Sequence, residues 1–362
     1  MKILRTILFI LNVLLALGLI ATTLAGIVSP SRSILPSLLA FGYVPLLLAN
    51  VVMVVVWLLM GRWEMLLSVA AIAMRWSLLP LFIQAGGTSK APSAEEHPYM
   101  TSVMTYNVRQ FRGPDSEAAQ PDSIAQAFIG LVRSEAPDVL CLQEYAAVRG
   151  LKVTDSLVLM GYNHYYGAHT ATDGTPYGTV VFSRLPITFV KRLDAEKVLV
   201  ELLNEGQRMR VVCLHMDSYR FDEDDLGAME RMRHGEMQED DRRTMGKIKE
   251  TVLSHEQEWN KTLSPVVAES TAPTLMAGDL NDIPSSWLYH QIHRSMKDCY
   301  TERGTGFSTT YSLARSGVQR MMLSFRIDMV FHNDGLRTLS YRRIKTRLSD
   351  HYPVMVTVEP AI

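Results

Sequence analysis

The chain has little of what marks several common protein classes. Three cysteines in 362 residues are too few, and odd in number, for a disulfide framework. Net charge is nearly absent: 36 Lys and Arg stand against 37 Asp and Glu. That balance excludes a polybasic nucleic-acid tail and an acidic solvating chain. No Cys/His spacing suggests zinc, and there is no G-x-S-x-G, phosphate-binding P-loop or dinucleotide fingerprint. No internal repeat and no low-complexity run occur. What is present is apolar: 48% of residues are hydrophobic and 20% charged, which excludes a largely disordered chain. The length allows one large domain or two ordinary ones. Mean hydropathy is +0.06, high for a purely soluble protein.

The hydrophobicity sits at the front. Residues 1–86 hold only six charges: Lys2, Arg5, Arg32, Arg62, Glu64 and Arg75. The other 276 residues hold 67, an ordinary globular density. Ile7–Val28 is 22 residues without a charge and Ser33–Gly61 is 29. Each is long enough to cross about 30 Å of hydrocarbon as a helix. A cleaved signal peptide is the bland reading of the first run. Its length, the lack of an A-x-A site and the second run close behind argue against that. Met65–Gln84 is a weaker third span, with Arg75 in its middle and Pro80 as a kink. The reading is therefore a transmembrane anchor of about three helices over residues 1–86. Lys2, Arg5 and Arg62 against Arg32 and Lys90 give a slight positive-inside bias. Three spans put the rest of the chain on the extracytoplasmic face of a cell membrane, the inner one if the cell is bacterial. Two spans would leave it in the cytoplasm.

Residues 87–98 are small, polar and carry two prolines, a linker by composition. Residues 99–362 read as an α/β enzyme domain. Apolar, β-branched runs recur at 102–108, 139–143, 179–183, 198–203, 209–214, 274–277, 327–331 and 354–358. Ile124, Ala127, Phe128, Leu131 and Val132 have helical spacing, closed by Pro137, and 242–259 is a second helix. Strands outnumber helices and do not alternate strictly with them, which favours a mixed sandwich over a doubly wound sheet. Cys141, Cys213 and Cys299 read as small buried hydrophobes.

Polar residues stand just beyond the apolar runs. Asn107, Glu144 and His215 each follow one, and Asp279 and Asn281 follow another. Asp328 sits within 326–331, and Asp350 and His351 precede the last strand. Singly, each is more often a turn former or a structural histidine. Together they are carboxylates, amides and imidazoles at strand ends. Carboxylate and amide oxygens suit Mg2+ or Mn2+. Asp beside His offers a base and an oriented acid. The chemistry they fit is metal-assisted hydrolysis of a phosphate ester.

The segments Thr105-Tyr106-Asn107-Val108-Arg109, Leu142-Gln143-Glu144, Tyr177 to Ile187, Leu214-His215-Met216-Asp217, Gly278-Asp279-Leu280-Asn281-Asp282, Arg326-Ile327-Asp328 and Ser349-Asp350-His351 occur in one order. Together with Thr310-Tyr311 they resemble the endonuclease/exonuclease/phosphatase superfamily, whose fold is deoxyribonuclease-I-like. The resemblance implies a four-layer α/β sandwich of two packed mixed sheets flanked by helices. It implies Mg2+ (or Mn2+) held mainly by Glu144, with Asn107 nearby and Asp350 joining. It implies that Asp279 orients or deprotonates the attacking water and that Asn281 donates to the phosphate. His215 and His351 would stabilise developing charge, and Asp328 would orient His351. One departure is Arg109, where the apurinic-site endonuclease branch has an acidic residue. It reads as a contact to substrate phosphate or as a solvated arginine.

Residues 87–362 carry 31 basic and 36 acidic side chains. Duplex-DNA binders usually present a basic face. The one basic run is Arg342-Arg343-Ile344-Lys345-Thr346-Arg347. The expected partners are the bilayer and a phosphate-ester substrate. The leading expectation is a membrane-anchored phosphodiesterase or nuclease. A phospholipid or phosphoinositide phosphoesterase is the alternative, and a non-catalytic scaffold comes third because no expected site residue is replaced. The stretch between His215 and Asp279 mixes acidic and basic residues and reads as a solvated helical face or a lid.

Overall fold

The computed structural model describes residues 2–93, 95–114, 121–146, 153–170, 176–221, 225, 227, 231, 241–312 and 324–361. The acidic residues 222–224 and 239–240, in the stretch between His215 and Asp279, lie outside them. The longer helices are α1 (Lys2–Ala21), α2 (Leu35–Phe41), α3 (Tyr43–Leu59), α4 (Met65–Met74), α5 (Pro121–Glu135), α6 (Val153–Leu159) and α7 (Asp241–Glu258). The chain forms two compact units. The first comprises residues 1–80, 217–260 and 282–292, and the second comprises 81–216, 261–281 and 293–362.

In the first unit, α1 runs into a 3-10 turn at Thr22–Gly26, and an 18-residue window of these 25 residues has a mean hydropathy of 2.5. By length and composition this helix is able to cross a membrane. Helices α2 and α3 are apolar enough only together, and they are bent by 62° at Gly42. Helix α4 has 10 residues and ends at Arg75. Thus Arg75 caps a helix rather than sitting within one, and Trp76–Leu81 with Pro80 forms a 3-10 turn. The polarity of the helical bundle is inverted. Leu4, Leu14, Leu17, Leu48, Val52 and Leu59 are exposed, while Asn12, Asn50 and Ser68 are wholly buried. Ser68 Oγ lies 2.5 Å from Asn12 Oδ1 and 2.8 Å from Asn50 Oδ1. Asn12 donates to the Glu64 carbonyl and Arg5 pairs with the Glu64 carboxylate. A soluble bundle hides its leucines and wets its amides. This one buries Leu19, Met53 and Trp57 but leaves many other large apolar side chains exposed and encloses three polar ones.

Among the described residues the second unit holds sixteen strands: β1 (Ile83–Gln84), β2 (Thr101–Asn107), β3 (Val139–Tyr145), β4 (His164–Thr170), β5 (Pro176–Ser183), β6 (Ile187–Arg192), β7 (Lys197–Asn204), β8 (Gln207–His215), β9 (Thr274–Asp279), β10 (Lys297–Asp298), β11 (Gly306–Phe307), β12 (Tyr311–Ser312), β13 (Ser324–Phe325), β14 (Asp328–His332), β15 (Leu336–Arg343) and β16 (Val354–Pro360). Two six-stranded sheets have the orders β15-β16-β2-β3-β5-β4 and β10-β14-β9-β8-β7-β6. Both are mixed, because β2–β3 and β8–β9 are parallel and the other neighbours antiparallel. Their inner faces share one core, in which Val103, Val139 and Val181 of the first sheet meet Val200, Val211 and Val330 of the second. The outer face of the first sheet is sealed by α5 and α6 through Phe128, Val132 and Leu157. Helix α5 buries Ala125, Phe128, Ile129 and Val132, with Ile124 and Leu131 partly buried against the same core, and of the stripe read from the sequence only Ala127 faces solvent. Burying Phe128 alone removes enough apolar area to contribute about 2–3 kcal/mol.

The compositional linker is tied down. Thr88 exchanges backbone hydrogen bonds with Arg303 and Tyr341, and His97 Nδ1 lies 2.9 Å from Glu359. Gln84, expected inside a third span, instead pairs with Gly306 in a short two-stranded sheet.

Candidate active site

Strand polarity and register bring the predicted residues together. Strands β2 and β3 are parallel and end at Asn107 and Glu144, while β8 and β9 are parallel and end in register at His215 and Asp279. Strand β14 runs antiparallel to β9 and starts at Asp328, opposite Asp279. One edge of each sheet thus supplies its polar termini to a common place.

Local backbone features aim the side chains. In β3, Val139 and Cys141 face the inter-sheet core and Leu140 and Leu142 face α5. Plain alternation would send Glu144 outward. The register shifts between Leu142 and Tyr145, and Glu144 has φ +49°, so a bulge re-aims its carboxylate. Asn281 also has a positive φ, +47°, which asparagine tolerates well. Its backbone N–H donates to Asp279 Oδ1 at 2.8 Å and its side-chain amide to the Met216 carbonyl at 2.9 Å. Gly278 admits no side chain, because a Cβ there would lie 1.9 Å from the Leu214 carbonyl oxygen.

Asp279 Oδ2 is the hub. It accepts from Asn107 Nδ2 at 3.0 Å and lies 3.7 Å from His351 Nε2 and 3.9 Å from His215 Nε2. Asn107 Nδ2 also donates to Glu144 Oε1 at 3.0 Å, while its Oδ1 accepts the Arg109 N–H. His351 Nδ1 lies 2.9 and 3.1 Å from the two Asp328 oxygens. Asp328 is held by the Thr310 hydroxyl at its backbone N–H. Burial works against a charge on His351, but Asp328, Asp279 and Asp350 outweigh it and push the imidazole up to about 10. Burial pushes the Asp328 carboxyl up to about 6 despite His351. At neutral pH the two therefore form an imidazolium–carboxylate pair.

His215 is oriented by a residue that no sequence signal marked. Its Nδ1 lies 3.8 Å from Glu196 Oε2, and the Glu196 carbonyl accepts the His215 backbone N–H. Glu196 stands on the turn into β7 and also accepts from Thr179. Burial opposes protonation of His215, yet Glu196, Asp279 and Glu144 raise its pKa overall. Its Nε2 makes no hydrogen bond among the described residues and faces Asp279. Tyr311, which the resemblance includes without assigning it a role, sets its ring 4.6 Å from that of His351.

Arg109 Nε lies 3.5 Å from Asp350 Oδ2, and its guanidinium also donates to the Gly113 and Pro114 carbonyls. It is neither a solvated arginine nor a wholly free cation. Two of the four basic side chains in the basic run are engaged: Arg342 pairs with Glu135, and Arg343 holds Thr309 and covers the Tyr352 ring.

Asp279, Asp328 and His351 offer ligand atoms within 4.8 Å of one another, a group able to hold a metal ion. The His351 nitrogen facing Asp328 is already committed to it, which favours proton handling over ligation. Glu144 and Asp350 offer carboxylate oxygens of the hard kind that Mg2+ takes. With Asp279 and Asp328 they make four carboxylates against Arg109 and one imidazolium, a negative excess that a cation would offset.

Solved structures share this fold. The endonuclease/exonuclease/phosphatase from Beutenbergia cavernae is 18% identical, with a TM-score of 0.50 over 73% of this chain and 72% of that one. The Bacteroides vulgatus protein of the same description is 16% identical, with a TM-score of 0.49 over 72% and 99%. The human Nocturnin catalytic domain is 14% identical, with a TM-score of 0.47 over 73% and 94%. At such identities the likeness is one of fold. Among curated proteins none matches the chain. A domain family of unknown function, DUF8431, matches residues 5–82. The model of the Endonuclease/Exonuclease/phosphatase family matches residues 104–351, most of the chain and all of the site described above, so the protein belongs to that family and is one of its hydrolases.

Proposed function

We propose that the protein is a membrane-anchored, Mg2+-dependent phosphodiesterase whose catalytic domain lies outside the cytoplasm. The observation that carries the reaction is the convergence of Asp279, His351 and His215, each oriented by a second group. Asp279 is fixed by the Asn281 N–H and Asn107, and its Oδ2 is placed to take a proton from an attacking water. His351, charged by Asp328, presents Nε2–H to a phosphoryl oxygen. His215, held from behind by Glu196, presents its free Nε2 from the other side. Asn281 would add a donor from its remaining amide hydrogen. A Mg2+ held by Glu144, with Asn107 and Asp350 beside it, would neutralise charge on the phosphoryl group. Electrostatic preorganisation of this kind supplies most of the acceleration in such reactions.

The inverted polarity of α1, α3 and α4 supports the anchor. A substrate in the bilayer surface is the second reading, favoured by the same anchor and by the excess of acidic over basic side chains in residues 87–362. The test uses the full-length protein in detergent micelles, because residues 217–260 and 282–292 belong to the helical unit. It is given Mg2+ with plasmid DNA, RNA, sphingomyelin or phosphoinositides. Hydrolysis that is lost with EDTA and with Asp279→Asn supports the reading. Head-group release without nucleolysis selects the lipid substrate. No hydrolysis with either Mg2+ or Mn2+ overturns it.

A further inference from the structure

The segment between His215 and Asp279 contains α7, and its C-terminal turn faces two ways. Glu256 takes the Ser31 N–H at 2.7 Å and the Ser31 hydroxyl at 2.9 Å, so it grips the loop between α1 and α2. The ring of Phe41, which ends α2, stands edge-on to Tyr219 at 5.7 Å. The preceding residue, His255, is 1% exposed and turns the opposite way. Its Nε2 lies 2.8 Å from the Asp217 carbonyl oxygen and its Nδ1 3.3 Å from Asp282 Oδ2. A carbonyl and a carboxylate can only accept, so both ring nitrogens must donate. Either neutral tautomer would leave two acceptors facing each other in a buried place, a costly arrangement. The groups around the ring are Asp282, the Asp217 carbonyl, Glu258 and the Tyr219 ring. Burial opposes the charge, but Asp282, Asp217 and Glu258 raise the imidazole above its ordinary value.

The two acceptors occupy telling positions in the chain. Asp217 comes two residues after His215, and Asp282 follows Asn281 directly. We propose that His255 is a positioning residue: as a doubly protonated ring it staples the two chain segments leaving His215 and Asn281, and through Glu256 and Ser31 it couples their placement to the seating of the α1–α2 loop. The proposal rests on the phosphodiesterase reading above and gives the α7 segment a role in that reaction. Here the ring touches no substrate. It acts by fixing the backbone that carries two residues which do.

The test measures kcat and KM against pH for the full-length protein in phosphatidylcholine vesicles, with bis(p-nitrophenyl) phosphate and Mn2+. His255→Phe removes both donors, and kcat should fall at least tenfold with KM within about twofold. Asp282→Asn is the second variant, nearly isosteric and able to donate to an unprotonated Nδ1. It should spare activity at high pH, because a neutral His255 then satisfies both partners. The wild type should lose kcat on the alkaline side where His255 deprotonates, and Asp282→Asn should move that limb up by at least one pH unit. If His255→Phe does not fold, Asp282→Asn decides. A wild-type pH profile in Asp282→Asn, or unchanged kcat in folded His255→Phe, overturns the staple while leaving the reaction standing. A wild type inactive on every phosphodiester overturns the functional reading, and the staple with it.

Discussion

The imidazolium of His351 depends on one neighbour more than on any other. Asp328 meets it with both oxygens and supplies the largest of the forces that offset burial. Asp328→Asn keeps the shape and removes the charge, so the His351 pKa should drop from about 10 toward its ordinary value. That shift is readable by histidine 15N NMR. Loss of an oriented acid of this kind typically costs about 10²–10⁴ in rate, and kcat should fall by that order with little change in KM. The sign for stability follows from the direction of the shift. A raised histidine pKa means the charged form is favoured in the folded protein. Its contribution is full below the unfolded value, about 6.5, and fades as pH rises through about 10. Melting temperature should therefore decline between pH 7 and 10 more steeply in the wild type than in Asp328→Asn. Glu196 makes the parallel case on the other side of the site. Glu196→Gln keeps the contact to Thr179 but weakens the hold on His215. We expect a kcat loss of about tenfold or more, with a lower His215 pKa in the same NMR experiment.

At the scale of elements, the strand ends matter more than the strands. Gly278 shows why. A methyl group there would collide with the Leu214 backbone, which no rotamer change relieves. Gly278→Ala should destabilise by about 2–3 kcal/mol and lower the melting temperature by several degrees, with activity falling because Asp279 moves with it. The eight apolar runs read from the sequence all become inner strands, because buried strands must be apolar throughout. The longer strands that went unread are β4, β6 and β15, and all three lie at sheet edges. An edge strand has one unpaired side, and polar residues such as Lys191, Arg192 and Arg342 suit it. The chain order of site residues was legible because each stands at the end of a buried run. Glu196 was not, since a glutamate on a turn has no periodic signature. Nor was the role of α7 legible, since the partners of His255 lie 27 and 38 residues away and that of Glu256, Ser31, 225 residues away.

For the whole molecule, the proposed anchor turns on how many times the N-terminal region crosses the bilayer. Contacts within the helical unit fix which ends lie together. Arg5 and the Glu64 side chain meet, so the turn after α3 lies beside the first half of α1. At the other end, Arg75 Nε reaches Thr22 and the Tyr43 hydroxyl reaches the Arg75 carbonyl. Ser31, in the loop at that end, is held by Glu256 of α7. Helices α1, α3 and α4 therefore run up, down and up, and the chain leaves on the face opposite to Lys2. Lys2, Arg5 and Arg62 gather at the starting end, where the positive-inside rule places cytoplasm. Beyond residue 81, no helix among the described residues is long and apolar enough to return across. Maleimide labelling tests this without removing any native thiol, since Cys141, Cys213 and Cys299 are all buried. Leu159, which is 89% exposed on α6, should label in intact cells when changed to cysteine. Arg62→Cys should label only after the membrane is opened. Protection of both until the membrane is opened would mean an even number of crossings and a cytoplasmic active site, and the substrate would then have to be sought among cytoplasmic phosphodiesters.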